Sequence, residues 1–238
     1  LCSLVNIGAN RSKIIDGISN AERFCKGVKV KNIDFVEVKK NSLQATELLL
    51  EVDDDTRERK GIEMKEIIEK SLEKLQISEK AKTFAIKTIE TLIRAESKIH
   101  GEPEDSVHFH EAASFDTIVD ILGTAIALDD LSCFDDVIIA TPVAVGGGTV
   151  TFSHGISSNP AYAVLEIFRE SGIITVGGNV KDELTTPTGA SILVNLATEC
   201  SEFYPPMKIQ SVGYGAGKKD FEQFSNVLKV VKGISTTQ

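Results

Sequence analysis

The spacing of apolar residues predicts a chain in which helices and strands alternate. Apolar positions recur at helical spacing in three ranges, which we expect to be helices: 11–24, 62–75 and 79–99. Alternating or continuous apolar runs predict the two strands of a hairpin in the ranges 28–38 and 45–52. Ser78 is placed to cap the third helix and Gly101 to end it, so His100 is expected at a helix carboxy-terminus.

Beyond Pro103 the predicted elements become shorter. Strands are expected at 107–110, 137–140, 173–176 and 226–231. Helices are expected to begin at Asp116 as an N-cap, at Asn159-Pro160 and at Thr186-Pro187. The pattern predicts an α/β to α+β fold, a mixed sheet with flanking helices. We expect a weak boundary near Gly101, between a strand-and-helix region with a two-helix segment (1–100) and a metal- and nucleotide-site region (101–238), or one compact unit.

Composition excludes several classes of function. The chain has 238 residues, of which 26 are basic and 35 acidic, giving a net charge of −9. An acidic chain is not expected to bind nucleic acid or anionic lipid. No apolar run approaches the ~18–20 residues of a membrane span. The four cysteines are far apart and form no Cys-x-x-Cys pair, which is typical of reduced thiols in a cytoplasmic protein.

The four histidines are unevenly distributed, because three of them, His100, His108 and His110, fall within eleven residues. On an extended segment, His108 and His110 point to the same side. Two imidazoles arranged in this way suit a first-row transition metal such as nickel or zinc, and the ligands alone do not select between these metals.

Carboxylates extend this histidine cluster. Glu111 follows it directly, and Asp116 and Asp120 are four residues apart, so they share one face of the predicted helix. Together these groups could hold a divalent metal or supply acid–base groups around it. The alternative is a polar strand end followed by an ordinary helix cap.

Three further segments are candidates for binding a ligand. The glycine run Gly146-Gly147-Gly148 follows a predicted strand and lets backbone N–H groups approach an anion, with His154 nearby. The predicted helix start containing Thr185, Thr186, Thr188 and Gly189 offers hydroxyl and N–H groups to phosphate, or is an ordinary cap. The segment 212–217 is expected to be a glycine-rich loop, a sharp turn or a ligand loop, before the closing strand.

Taken in order, these segments resemble the LarC family of nickel-insertion proteins. The segments are His100-Gly101, Val107-His108-Phe109-His110-Glu111, Asp116-Thr117-Ile118-Val119-Asp120-Ile121, Gly146-Gly147-Gly148-Thr149-Val150, His154-Gly155, Glu183-Leu184-Thr185-Thr186-Pro187-Thr188-Gly189-Ala190 and Val212-Gly213-Tyr214-Gly215-Ala216-Gly217. Each motif is modest alone, and the ordered set is specific.

The resemblance implies a nickel chelatase of the lyase class. Such a protein inserts nickel into pyridinium-3,5-bisthiocarboxylic acid mononucleotide, a thiolated pyridinium mononucleotide, and forms the nickel-pincer nucleotide. Insertion in the family is coupled to hydrolysis of CTP with Mg or Mn. His108 and His110 then become candidate nickel ligands, with Glu111, Asp116 and Asp120 as ligands or as catalytic and orienting groups. The glycine run, His154 and the threonine-rich helix start would hold the nucleotide and close the site.

This sequence departs from the family pattern at several points. Ala113 stands where glycine is usual, and residues 156–160 replace a proline-rich stretch. The family's usual amino-terminal segment and its carboxy-terminal domain, associated with CTP and with oligomer formation, are not in this chain. Alone, it is therefore not expected to complete the reaction, and a homo-oligomer is an expectation for the whole protein. The alternatives are a metal-dependent hydrolase or a non-catalytic metal-binding or oligomerisation module.

Overall fold

Helices and strands alternate along the residues that the structure, a computed structural model, describes: 1–56, 58–109, 114–152, 155–222 and 224–236. The α-helices in these ranges are α1 (Cys2–Asn6), α2 (Arg11–Glu22), α3 (Gly61–Leu72), α4 (Glu79–His100), α5 (Phe115–Asp130), α6 (Tyr162–Phe168) and α7 (Pro187–Leu196). The strands are β1 (Val28–Lys40), β2 (Leu43–Asp54), β3 (Arg59–Lys60), β4 (His108–Phe109), β5 (Ile139–Ala140), β6 (Val143–Ala144), β7 (Thr149–Phe152), β8 (Gly155–Ser158), β9 (Thr175–Val176), β10 (Glu199–Cys200), β11 (Met207–Ala216) and β12 (Val227–Ser235). A short 3-10 helix, Cys133–Asp135, follows α5.

The main sheet has four strands in the order β1-β2-β11-β12. The β1–β2 and β11–β12 pairs are antiparallel hairpins, and β2 and β11 are parallel neighbours that pair Thr46 with Gly215. The predicted class, α/β to α+β with a mixed sheet and flanking helices, is confirmed. The sheet combines strands from both sides of Gly101. The weak boundary predicted near Gly101 stays a prediction.

Helix α1 lies directly against strand β11. A Cβ atom on Gly213 would lie 2.1 Å from the Ser3 carbonyl oxygen, and one on Gly215 would lie 2.4 Å from the Ser3 nitrogen. The prediction of a glycine-rich loop at 212–217 is therefore wrong, because residues 212–216 belong to a regular strand. Its glycines allow the backbone of a crossing helix to approach the strand closely.

The helices form the greater part of the hydrophobic core. Helix α5 is buried around nearly its whole circumference, through Ile118, Ile121 and Leu122 among others. A helix that is apolar all round is expected at the centre of a domain, and α5 packs on α2, α4 and α1. The predicted helices 11–24, 62–75 and 79–99 correspond to α2, α3 and α4, and Ser78 caps α4 as predicted.

Two predicted helix starts are wrong. Ser114, not Asp116, is the N-cap of α5, and Asp116 lies in the first turn. Helix α6 begins at Tyr162 with Ala161 as its N-cap, so Asn159-Pro160 lies outside it. In both cases local capping chemistry favours one start. The Asp54 carboxylate selects another for α5, and hydrogen bonds to carbonyls of the glycine run hold Asn159 outside α6. Among the described helices, none has the length and apolar character needed to cross a membrane.

Candidate functional site

The first turn of α5 carries the carboxylates that the sequence singles out. Asp116 is exposed there, and Asp120 lies one turn later, half-buried, on the same face. Burial raises the pKa of Asp120, and the neighbouring charge of Asp116 raises it further. A residue outside α5 holds the start of this helix, because Asp54 accepts a hydrogen bond from the Phe115 nitrogen at 3.3 Å.

The start of α7 lies beside the start of α5. The hydroxyl oxygens of Thr117 and Thr188, both buried, are 3.5 Å apart, although 71 residues separate them in the chain. Thr186 is the N-cap of α7, and its hydroxyl accepts a hydrogen bond from the Gly189 nitrogen at 3.1 Å. Two helix amino-termini at one place favour an anion there, because each carries a partial positive charge.

The glycine run forms part of the framework next to α7. The Gly146 nitrogen donates to the Gly177 carbonyl at 2.7 Å, and the Gly147 nitrogen donates to the Asp182 carbonyl at 3.3 Å. Gly146 and Gly148 have φ of +86° and +80°, which favour glycine. Two of the amides predicted to bind an anion, those of Gly146 and Gly147, therefore donate to protein carbonyls in this conformation. These two residues shape the loop.

The segment before α7 is anchored to this loop. The Thr185 hydroxyl donates to the Ala144 carbonyl at 2.8 Å, and Glu183 forms a backbone bridge with Gly146. The hydroxyls of Thr185 and Thr186 thus have structural partners, and those of Thr117 and Thr188 lie against each other. Burial raises the pKa of the Glu183 carboxyl.

Two lysines from the β11–β12 connection reach this region. Lys219 Nζ lies 2.7 Å from Asp182 Oδ1, and this hydrogen bond holds the pKa of Asp182 below its usual value. Lys218 precedes it, and its positive charge acts on Asp120, partly offsetting the effect of burial. The connection therefore brings Lys219 to Asp182 and the charge of Lys218 into the neighbourhood of Asp120.

His108 lies on β4, which pairs with β3 in a register that sets His108 opposite Lys60. Its Nδ1 atom is buried and has no hydrogen-bond partner. His100 lies at the end of α4 as predicted, and its Nε2 is 3.4 Å from Glu96 Oε2. His110, Glu111 and His154 lie outside the described residues.

The described residues bring part of the predicted site together. The starts of α5 and α7, the glycine run and the segment 182–185 form one connected region. Within the described ranges, no group of three histidine, cysteine, aspartate or glutamate side chains is arranged to hold a metal ion.

Sequence reasoning missed several residues of this region. Lys219 and Asp182 are 37 residues apart, and Arg59, which orients Asp54, is far from both. The only available signal for Lys218 and Lys219 was their position directly after Gly217 in an acidic chain. Asn159, predicted to start a helix, instead donates hydrogen bonds to carbonyls of the glycine run.

The chain belongs to the nickel insertion protein family. A family model described as "Nickel insertion protein" matches residues 1–238. No solved structure matches the chain.

Curated relatives of this chain carry related names. A "Putative nickel insertion protein" of Methanothermobacter thermautotrophicus is 35% identical over 231 residues, which cover 97% of this chain and 54% of that protein. A "Pyridinium-3,5-bisthiocarboxylic acid mononucleotide nickel insertion protein" of Clostridium kluyveri is 44% identical over 168 residues, or 70% of this chain and 40% of that protein. One with the same name from Geobacillus kaustophilus is 43% identical over 161 residues, or 68% and 38% of the two chains. The chain spans about half the length, or less, of these curated relatives.

Proposed function

We propose that this chain is the nickel-binding and nucleotide-binding portion of a nickel insertase that acts on pyridinium-3,5-bisthiocarboxylic acid mononucleotide. The relatives from Clostridium kluyveri and Geobacillus kaustophilus carry this substrate in their names. The observation that supports the proposal best is the contact between Thr117 and Thr188. It brings the helix that follows the His-x-His-Glu segment next to the threonine-rich helix start, so that metal ligands and anion-binding groups can act on one substrate.

Nickel is the metal substrate in this proposal, and its candidate ligands are His108, His110, Glu111 and Asp116. Imidazole nitrogen and carboxylate oxygen form a donor set that accepts nickel as well as zinc or copper. The buried Nδ1 of His108 supports a role for this side chain, because buried polar atoms in proteins are normally partnered. Asp120, one turn after Asp116, is proposed to orient the ligands or to exchange a proton during insertion.

The nucleotide is proposed to bind at the starts of α5 and α7. Its phosphate and two thiocarboxylates are negative, so the helix dipoles, Lys218 and Lys219 would all attract it. Thr188 and Gly189 lie in the first turn of α7, next to this position. Gly146, Gly147 and Gly148 would fix the loop beside it, and His154, which lies outside the described residues, would close the site from another segment of the chain.

The remaining requirements of the reaction concern the whole protein. CTP with Mg²⁺ or Mn²⁺ belongs to the proposal through the family resemblance, and we assign no residue of this chain to them. The nickel-pincer nucleotide would be the product, and a homo-oligomer the working form. The cytoplasm is the proposed compartment, on the ground of the widely spaced cysteines.

Calorimetric titration with nickel chloride tests the metal site. The variant with both His108→Ala and His110→Ala is expected to lose stoichiometric nickel binding, because the methyl side chain of alanine has no lone pair for the metal. His100→Ala is the matched control, since His100 lies on α4 beside Glu96, and it should bind as the parent protein does. Undiminished nickel binding by the double variant, with an unchanged melting temperature, would contradict the assignment of these histidines as ligands.

A further inference from the structure

Two polar side chains at the end of β8 have buried atoms without a hydrogen-bond partner. These atoms are Ser157 Oγ and Asn159 Oδ1. Ser157 is half-buried in β8, Ser158 at the end of the strand is exposed, and Asn159 directly after it is buried, so burial alternates along this segment. The two atoms thus belong to one buried surface of this segment.

Asn159 is held rigidly against the glycine run. Its backbone nitrogen donates to the Gly148 carbonyl at 2.9 Å, and its side-chain Nδ2 donates to the Gly147 carbonyl at 3.3 Å. The second bond fixes the orientation of the carboxamide, because the reversed orientation would set Oδ1 against a carbonyl oxygen. Asn159 is 8% exposed, so its Oδ1 is an acceptor held in place beside the loop without a donor.

A buried polar atom without a hydrogen-bond partner destabilises the folded state, and each one in a folded protein requires an explanation. Two of them, two residues apart and next to the loop of the candidate site, indicate a position that a ligand completes. An amide oxygen only accepts hydrogen bonds, so the ligand must supply an O–H or N–H donor.

We propose that Ser157 and Asn159 bind the ribose hydroxyl groups of the mononucleotide. This inference rests on the proposed function and names the part of the substrate that this surface takes. At neutral pH the phosphate and the thiocarboxylates are ionised, and the pyridinium nitrogen carries no hydrogen. The ribose hydroxyls are therefore the donors that this substrate offers to Asn159 Oδ1, and they can equally donate to or accept from Ser157 Oγ.

Ser157→Ala is the diagnostic variant, because Ser157 Oγ has no hydrogen bond to lose. Ribose 5-phosphate and inorganic phosphate are titrated into the parent protein and the variant by calorimetry. The variant should bind ribose 5-phosphate about fivefold more weakly, as expected for one hydrogen bond, and bind phosphate unchanged. Ser158→Ala, which changes the exposed serine between the two residues, should match the parent for both ligands.

The melting temperature without ligand gives a second readout. Removing an unsatisfied buried hydroxyl should leave it unchanged or raise it. Asn159→Ser should show the same selective loss of ribose 5-phosphate affinity, with a lower melting temperature, because its bond to Gly147 is also lost.

Other outcomes overturn the inference. Equal binding of ribose 5-phosphate by the parent and Ser157→Ala, with phosphate bound by both, overturns the ribose assignment and leaves the proposed function standing. A clearly lower melting temperature of Ser157→Ala without ligand shows that the hydroxyl is structural, and also overturns it. Failure of the parent protein to bind either ligand removes the phosphate site of the proposed function, and the ribose assignment with it.

Discussion

Arg59 donates two hydrogen bonds to Asp54, from Nη1 to Oδ2 at 2.8 Å and from Nη2 to Oδ1 at 2.6 Å. Arg59 is 1% exposed, and Asp54 also accepts a hydrogen bond from the Phe115 nitrogen. The pair therefore joins the end of β2 to the first residue of α5. Since β3, which contains Arg59, pairs with the strand of His108, this bidentate contact sets the position of α5 relative to His108.

Asp54→Asn is expected to destabilise the protein by about 3–5 kcal/mol, because a buried guanidinium loses its carboxylate partner. Urea unfolding measures the change. The control is Asp53→Asn, which breaks an exposed pair with Lys31 and should cost less than about 1 kcal/mol. Equal losses in the two variants would contradict the role given to Asp54.

Acidification should lower the free energy of unfolding through Asp54. Burial alone would raise the pKa of Asp54, but hydrogen bonds from Arg59 and two backbone nitrogens outweigh it and hold the pKa below its ordinary value of 3.8. The folded state then binds this proton less tightly than the unfolded chain, so the stabilisation is present above pH 3.8 and is lost as the pH falls toward the folded pKa. The unfolding free energy of the parent should drop more steeply in this window than that of Asp54→Asn.

Asp120 should have the opposite dependence on pH. Its pKa is raised by burial, so the folded state holds its proton more tightly and loses that stabilisation as the pH rises through the folded pKa. Asp120→Asn is expected to be more stable than the parent at neutral pH, with the difference disappearing below pH 3.8. Unfolding curves at neutral and acidic pH test this, and a variant less stable at neutral pH would refute it.

Gly146→Ala should disrupt the loop beside α7. A Cβ at this position would lie 2.0 Å from the Asp182 carbonyl oxygen, and the φ of +86° disfavours alanine as well. We expect the free energy of unfolding to fall by about 1–3 kcal/mol and inorganic phosphate to bind more weakly. A Cβ on Gly177 meets nothing within 4 Å, so Gly177→Ala should change stability by less than about 0.5 kcal/mol.

Lys219→Gln should weaken phosphate binding by about two- to fivefold, as expected for a half-exposed cation. The effect should decrease as salt is added, because mobile ions screen exposed charges. Lys229→Gln makes the same change of charge on β12 and serves as the control. If the two variants lose phosphate affinity equally, Lys219 acts only through net charge and not at the site.

Local chemistry explains what could be predicted of the fold. The hairpin of β1 and β2 and the helices α2, α3 and α4 follow from apolar periodicity, and Ser78 and Thr186 cap their helices with their own side chains. Each of these features depends on residues close together in the chain. The candidate ligands around His108 and Asp116 were also visible as a cluster in the sequence.

The rest was decided by contacts between distant segments. Gly213 and Gly215 were ambiguous alone. Pairing with β12 makes them part of a strand, and the approach of Ser3 explains why they are glycines. Likewise, Asp116 has the chemistry of a cap, but Asp54 holds the start of α5 so that the N-cap is Ser114, two residues earlier.

The sequence by itself therefore determined the fold class, most helices and the chemical types of the candidate ligands. The tertiary structure decided which of these groups meet: Thr117 with Thr188, Lys219 with Asp182, and Asn159 with the glycine run. The physical reason is that periodicity and capping act within a few residues. A binding surface depends instead on the packing of helices and strands that no local pattern specifies.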